Sequence, residues 1–155
     1  MTKEKIGSLK LTYNHLINIK LWLMYKVKTD NASIPLLLHG LQSRTRNRML
    51  TLIEPFIGEF ETERQKLIKL YARKDKKTKE PLLKEGTKTY DIVNVDKFND
   101  EFSALTIQEV IIDILPSTIE TIKGIRDIFK TFDREFDAEQ GQLFDEVSEK
   151  FETIK

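Results

Sequence analysis

The chain has 155 residues, of which 39% are hydrophobic and 33% are charged, and it contains no cysteine. A chain of this size can bury roughly two thirds of its unfolded surface, so it needs no disulfide or structural metal to fold. Without cysteine, a disulfide scaffold, a thiolate zinc site, an iron–sulfur centre and a thiol nucleophile are all excluded. We therefore expect one soluble domain that comprises residues 1–155.

The net charge of +1 conceals an uneven distribution along the chain. Residues 1–90 contain 19 Lys and Arg against 9 Asp and Glu, whereas residues 91–155 contain 7 against 16. Such asymmetry bears on partners rather than on the fold. Three arrangements remain open: the two halves pack against each other, neighbouring copies pack head to tail, or the basic half binds something anionic.

The first predicted element is a helix from Thr12 to about Val27, which is apolar around most of its circumference. Its most apolar stretch contains Lys20 and is shorter than the roughly 20 residues that a membrane span requires. We therefore expect a buried helix, with no targeting segment and no membrane contact. The polar residues before Pro35 then predict a turn at which the chain reverses.

The longest helical pattern runs from about Leu41 to Arg73, with apolar residues at steps of three and four. Pro55 lies inside this pattern and lacks a backbone donor. We therefore expect either a kinked helix or two consecutive helices with Pro55 in the first turn of the second.

The middle of the chain has β-type composition. Residues 81–83 and 89–95 read as short strands, and Gly86 between them predicts a hairpin. A helix from Asp96 to about Leu105 precedes a third strand at residues 109–114. Because two strands alone are marginal in water, we predict that these three form one sheet.

Two helices complete the predicted chain. The first follows Pro116, where Ser117 and Glu120 have capping-box spacing, and the second runs from about Ala138 to Thr153. The expected fold is α+β and mainly α: long packed helices with a small antiparallel sheet inserted between residues 81 and 114. Its parts are a basic helical region (1–79), a β/α insert (80–115) and an acidic helical pair (116–155).

No pattern of catalytic or metal-binding residues stands out. His15 and His39 lack the spacing of metal-ligating pairs. The acidic run that begins at Asp133 resembles the start of an EF-hand, but its sixth residue is Ala138 rather than Gly and its twelfth is Phe144 rather than Glu. Nucleophile and phosphate-loop motifs do not occur. We expect no enzyme activity, no metal and no cofactor.

Two basic clusters are the candidate binding residues. They are Arg44, Arg46 and Arg48 in the first, and Arg73, Lys74, Lys76, Lys77 and Lys79 in the second. On a helix, Arg44 and Arg48 share one face while Arg46 points elsewhere. Both clusters could contact phosphates without reading bases, bind an acidic protein, or form ordinary solvated surface. Aromatic residues for base stacking are nearly missing beside them.

The order of features across residues 40–114 resembles a group of small bacteriophage proteins of unassigned function. The features are Phe60–Ile68, Tyr71–Asp75, Tyr90–Ile92, the helix with Phe98 and Phe102, and Glu109–Ile112. The resemblance brings no active-site residues. It implies a phage-encoded protein made in a bacterial cytoplasm, which acts in the particle, in its assembly or on a host component.

These observations predict a non-enzymatic interaction protein of bacteriophage type, either a component of the particle or its assembly or a binder of a host protein. Its partner would be a protein, whether a second copy, a phage protein or a host protein. The alternative is a nucleic-acid-binding accessory protein that uses the clusters at 44–48 and 73–79. We expect no small-molecule substrate, and a location in the cytoplasm of the bacterial host or in the virion.

Overall fold

The computed structural model describes residues 4–24, 26–28, 33–35, 40–132 and 136–154. Its elements are strand β1 (Gly7–Thr12), helix α1 (Tyr13–Leu23), strands β2 (Lys26–Lys28) and β3 (Ser33–Pro35), helices α2 (Gly40–Tyr71) and α3 (Val95–Thr106), strand β4 (Glu109–Ile114), and helices α4 (Ile119–Lys130) and α5 (Ala138–Glu152). The predicted α+β class with a predominance of helix is confirmed.

Strands β1 and β4 form an antiparallel sheet that pairs residues 7–12 with residues 109–114. Its register places Leu9 opposite Ile112 and Leu11 opposite Val110, and all four side chains are buried. The alternate residues face solvent, as the two-residue period of a strand requires. The sheet thus covers one side of the helices with its apolar face.

The prediction of a three-stranded sheet within residues 81–114 is wrong in one respect. Residues 109–114 form the predicted strand, but they pair with residues 7–12 and not with the hairpin around Gly86. The apolar side chains of β4 need an apolar partner strand, and β1 supplies Leu9 and Leu11. Their sequence separation of about 100 residues leaves no local pattern to read.

The predicted hairpin around Gly86 is present as single bridges rather than regular strands. Leu83 bridges Tyr90, and Gly86 lies at the turn with a φ of 71°, a conformation that glycine adopts without strain. The segment that completes this arrangement directly follows α2: Lys74 bridges Pro81. The third member of the predicted sheet is therefore the chain after α2.

Helix α1 begins one residue later than predicted and ends at Leu23 rather than near Val27. The Thr12 hydroxyl accepts a hydrogen bond from the backbone N–H of His15, and the Thr12 N–H donates to His15 Nδ1, each at 3.1 Å. This is a capping box in which histidine takes the place of glutamate. It fixes the boundary between β1 and α1.

One cluster of buried residues contains side chains from all five helices and both strands of the β1–β4 sheet. Trp22, with 1% of its surface exposed, lies among aromatic rings. Phe129, Phe136 and Phe144 approach it edge-on with centroid distances of 6.1, 6.1 and 5.1 Å. This geometry is favoured for aromatic pairs and links α1 to the last two helices.

Helix α2 is continuous through Pro55, so the alternative of two separate helices is wrong. Its N-terminal half packs closely on α4 at Gly124. A Cβ atom built on Gly124 would lie 2.6 Å from Cγ2 of Thr45, far inside van der Waals contact. The absence of a side chain at Gly124 therefore sets the distance between the two helices.

Helix α4 follows Pro116 as predicted, but the capping box of Ser117 and Glu120 does not form. The N-cap is Thr118, whose hydroxyl accepts from the N–H of Leu115 at 2.9 Å and makes no capping bond to α4. The turn before the helix takes up the hydroxyl that would otherwise cap it. Helix α5 has the predicted start, where Asp137 Oδ1 accepts from the N–H of Gln140.

Strands β2 and β3 are antiparallel, with Val27 opposite Ile34, as expected of a chain reversal. The residues of the predicted turn at 29–32 lie outside the described residues, as do His39 and Asp133. Within the described ranges, no helix combines the length and the hydropathy needed to cross a bilayer.

Some charges of the two sequence halves pair within the molecule. Between described Lys or Arg residues and carboxylates, three ion pairs join the basic half to the acidic half: Lys5 with Asp113, Lys10 with Glu109, and Arg73 with Asp91. Such exposed pairs contribute less than about 1 kcal/mol each. They nevertheless show that packing of the halves against each other accounts for part of the charge asymmetry.

Candidate functional site

The predicted binding residues lie at the two ends of α2. With a rise of 1.5 Å per residue, about 35 Å of helix separates Arg48 from Tyr71, after which the second cluster begins. Four glutamates occupy the helix between the two clusters: Glu54, Glu59, Glu61 and Glu63. The structure therefore does not bring the two clusters together into one basic surface.

The first cluster borders a cavity of about 630 Å³ between the start of α2 and the start of α4. We call it the arginine pocket. It is lined by Gly40, Ser43, Arg44, Asn47, Arg48, Thr51 and Leu52 from α2 and by Ser117, Thr118 and Thr121 from the start of α4. Among the described residues, its polar side chains include two cations and no carboxylate.

Arg44 and Arg48 both line the arginine pocket, and Arg46 does not. The expectation from their spacing is confirmed, because residues four apart share one face of a helix. Both lining arginines are exposed, and within the described part of the chain neither forms an ion pair. Their charges are thus available to an anion.

The other wall of the pocket is the first turn of α4. No side chain forms a capping hydrogen bond at the start of α4, so no cap offsets the positive end of its helix dipole. Thr121 lies in this turn with 8% of its surface exposed. Its hydroxyl has no hydrogen-bond partner among the residues that the structure describes, and the oxygen is not itself buried, so it is open to the cavity. A hydroxyl in this position can donate to a polar ligand.

The second cluster belongs to an irregular unit at the far end of α2, residues 72–93, which we call the tip module. Backbone hydrogen bonds hold it together, with Arg73 N–H donating to Asp91 O at 2.7 Å and Leu82 N–H donating to Arg73 O at 2.7 Å. The Arg73 side chain pairs with Asp91 at 3.1 Å. Arg73 therefore has a structural partner and is a weaker candidate for binding than its neighbours.

A tight turn presents the remaining residues of the second cluster. Asp75 Oδ1 accepts from the backbone N–H groups of Lys77 and Thr78 at 2.8 and 2.9 Å. The amides of Thr78 and Lys77 hold the pKa of Asp75 below its ordinary value. Lys79 closes the turn with a φ of 62°, in the left-handed region that glycine favours.

The surface of the tip module is both cationic and apolar. None of its exposed lysines has an ion pair within the described ranges; they are Lys74, Lys76, Lys77, Lys79, Lys84 and Lys88. Leu83 and Val93 expose 49% and 65% of their surface. Ala72 is the one buried residue of the module, so the module contributes little to the core.

His15 lines a separate cleft and has a structural role. It lies beside Glu146, with 3.9 Å between Nε2 and Oε2, while its Nδ1 accepts the capping bond from Thr12. Burial and then the positive charge of Lys150 lower the pKa of His15, against a smaller opposite effect of Glu146. The neutral imidazole is the form that caps α1.

The stability of the protein should fall when His15 is protonated. Because folding lowers its pKa below the ordinary value of about 6.5, the unfolded chain binds more protons than the folded one below that pH. The His15 contribution is therefore complete above about pH 6.5 and is lost as the pH falls further. Urea unfolding of the wild type and of H15Q, which keeps a capping-box residue, measures this effect.

The wild type should lose more free energy of unfolding than H15Q between neutral and mildly acidic pH. Equal losses of free energy of unfolding in the two proteins would show that the pKa of His15 does not change on unfolding. The carboxylates common to both proteins cancel in this comparison, since only position 15 differs.

Sequence reasoning missed the part of the arginine pocket that α4 supplies. Ser117 was assigned to a helix cap, and Thr118 and Thr121 carried no distinguishing pattern. A hydroxyl-rich helix start after a proline is the available signal, but only the fold brings it to Arg44. In comparisons with known proteins, no family model, no curated protein and no solved structure matches this chain.

Proposed function

We propose that this chain is a non-enzymatic interaction protein that docks on an acidic surface of a protein partner through its tip module. The observation that carries the proposal is a hydrogen-bonded unit that exposes cationic and apolar side chains while burying only Ala72. Ordering such a unit costs roughly 1–2 kcal/mol of backbone entropy per residue. Core packing does not explain why the tip module is ordered.

The composition of the tip module supports a protein surface as the partner. Exposed apolar side chains rimmed by polar ones are characteristic of protein interaction sites. Leu83 and Val93 supply the apolar part, and the unpaired lysines of the 74–79 turn supply charge that steers an acidic partner into place. An acidic protein surface with apolar residues matches both features.

The backbone of Lys79 is consistent with this role. A residue with a Cβ atom costs of order 1 kcal/mol in the left-handed region relative to glycine. Strained residues of this kind concentrate at binding and catalytic sites. Here the strain directs a lysine side chain from the end of the Asp75 turn, where glycine would present no charge.

The resemblance of residues 40–114 to small bacteriophage proteins supports a phage context for this function. In that context, the chain is a component of the particle or of its assembly, or it binds a host protein. Its location is then the bacterial cytoplasm or the virion. The partner is a second copy, another phage protein or a host protein.

A nucleic-acid-binding accessory protein is the second candidate function. The unpaired lysines of the tip module favour it, because lysine contacts to phosphates supply most nonspecific affinity. The four glutamates along α2 disfavour a continuous track from the 73–79 cluster to the 44–48 cluster. Near the lysines, Tyr71 and Tyr90 are the aromatic side chains available for stacking.

Reversing two lysines of the tip module should abolish docking. The variant K76E/K77E places like charges against an acidic partner, which costs several kcal/mol, so recovery of that partner should fall by about tenfold or more. The measurement is affinity capture from lysate of infected and uninfected bacteria. K123E/K130E, two substitutions on α4 with the same change in net charge, should capture as the wild type does.

Equal loss of capture in both charge-reversal variants would contradict the proposal, since net charge alone would then explain it. Retention of the partner by K76E/K77E would contradict it as well. A mobility shift with duplex or single-stranded nucleic acid that weakens steeply with salt would favour the second candidate. Circular dichroism of each variant confirms that the fold is intact.

A further inference from the structure

We propose that the arginine pocket is a binding site for an organic phosphate monoester. The site lies at the opposite end of α2 from the tip module and is argued from different residues. The geometry juxtaposes Arg44 and Arg48 with the uncapped start of α4 across one cavity. Failure of either proposal leaves the other standing.

The charge of the site fits a dianion. Arg44 and Arg48 bring two permanent positive charges, and the lining side chains that the structure describes include no carboxylate. Glu120 lies in the first turn of α4 but is exposed and does not line the cavity. A phosphate monoester carries a charge of about −1.5 to −2 at neutral pH, which two guanidinium groups neutralise.

The donors of the site fit a phosphoryl group better than a carboxylate. Two guanidinium forks, the hydroxyls of Ser117 and Thr121, and the dipole end of α4 all border one space. A carboxylate has two oxygens to accept from them, whereas a phosphoryl group has three strong acceptor oxygens. Phosphates also bind readily at helix starts.

Thr121 provides a separate indication of a ligand. Its side chain is more than nine-tenths buried, lines the cavity, and has a hydroxyl without a partner in the described residues. The hydroxyl oxygen is not itself buried, so solvent in the cavity reaches it. A phosphoryl oxygen in the cavity would accept from it in place of that solvent.

The size of the cavity indicates that the phosphate bears an organic group. A volume of about 630 Å³ lies within the range of small-molecule sites and far exceeds what a phosphate ion fills. Leu52 and the methyl group of Thr51 contribute apolar surface next to the arginines. The phosphoryl group would face α4 and the arginines, and its organic group would contact this apolar wall.

Calorimetric titration of the full chain with phenyl phosphate tests this inference. The wild type should bind phenyl phosphate more tightly than inorganic phosphate, which lacks the apolar group, and than benzoate, which lacks the third acceptor oxygen. R44Q/R48Q should lose affinity by about tenfold or more, as removal of charged hydrogen-bond donors predicts. R46Q, in the same cluster but outside the lining, should bind as the wild type does.

T121V tests the Thr121 hydroxyl while it preserves the shape of the side chain. It should weaken the binding of phenyl phosphate severalfold and leave the thermal unfolding midpoint without ligand unchanged. The inference is overturned if the wild type does not bind phenyl phosphate, if benzoate binds equally well, or if R46Q weakens binding as much as R44Q/R48Q does. Because Arg44 and Arg48 are exposed, their substitution should leave the fold unchanged, which circular dichroism verifies.

Discussion

Replacement of Trp22 by alanine should lower the free energy of unfolding by about 3–5 kcal/mol, the largest effect expected of any single substitution described here. Trp22 is 1% exposed and contacts Phe129, Phe136 and Phe144, so its removal leaves a cavity at the junction of α1, α4 and α5. Urea unfolding followed by circular dichroism measures the change.

A neighbouring residue on the same helix provides the control. Leu21 is 59% exposed, and L21A should change the free energy of unfolding by no more than about 0.5 kcal/mol. If W22A is too unstable to fold, W22F keeps an aromatic ring and should show an intermediate loss. A W22F protein as stable as the wild type, together with a W22A loss below that of L21A, would contradict the assigned packing.

Substitution of Gly124 by alanine should destabilise the protein by about 1–3 kcal/mol, although alanine is the better helix former. The new Cβ atom would lie 2.6 Å from Cγ2 of Thr45. Rotation of the Thr45 side chain gives little relief, because its Oγ1 and Cβ atoms would also lie close to the new Cβ atom, at 3.1 and 3.4 Å, so α2 must move from α4. Thermal and urea unfolding, followed by the fluorescence of the single tryptophan, measure the loss.

Two further variants separate the steric effect from helix propensity. G58A adds a methyl group in open space on α2 and should stabilise the protein by about 0.5–1 kcal/mol. T45A removes the obstructing methyl and hydroxyl groups, so G124A should cost less in the T45A background, with a coupling energy of at least about 0.5 kcal/mol. Additive effects of T45A and G124A would show that the contact does not limit the helix distance.

The effect of G124A should extend to the arginine pocket. The cavity lies between α2 and α4, and Thr45 is in the next position after Arg44. A greater distance between the helices would separate the arginines from the start of α4. A coupled loss of phenyl phosphate affinity would therefore accompany the loss of stability.

The helices could be predicted because each has an apolar face that faces the core. Helix α3 carries Phe98 and Phe102, and α5 buries Val147 and Phe151, at spacings that place each pair on one side of a helix. The sequence predicts the start of α1 at Thr12 but not its capping box, because His15 holds a position where glutamate or glutamine is the usual signal. The positions of the helices follow from the local sequence, whereas the pairing of strands depends on residues that are far apart in the chain.

Strand β1 could not be predicted from its local sequence pattern. Leu9 and Leu11 alternate with Ser8 and Lys10, a pattern typical of a half-buried strand, but six residues at a basic N-terminus carry little information. Their assignment depends on β4, which is distant in the sequence. A strand of this length can be assigned only together with the strand that pairs with its edge.

The candidate sites, too, could be predicted from the sequence only in part. The spacing of Arg44 and Arg48 correctly predicted one shared helix face, since four residues nearly complete a turn. The contribution of Thr121 could not be predicted, because it depends on how α4 packs on α2 at Gly124. The distance between the two basic clusters follows from the continuity of α2 through Pro55, which the sequence left open as one of two alternatives.

The pairing of β1 with β4 also affects how the protein is made. A ribosome synthesises roughly 5–20 residues per second, and about 100 residues separate the two strands, so β1 waits on the order of 5–20 s for its partner to emerge. During that interval Leu9 and Leu11 lack their cover and the strand edge is open to other chains. Nascent chains that end before Glu109 would keep the edge of β1 unpaired. We therefore expect chaperones and proteases to act on them.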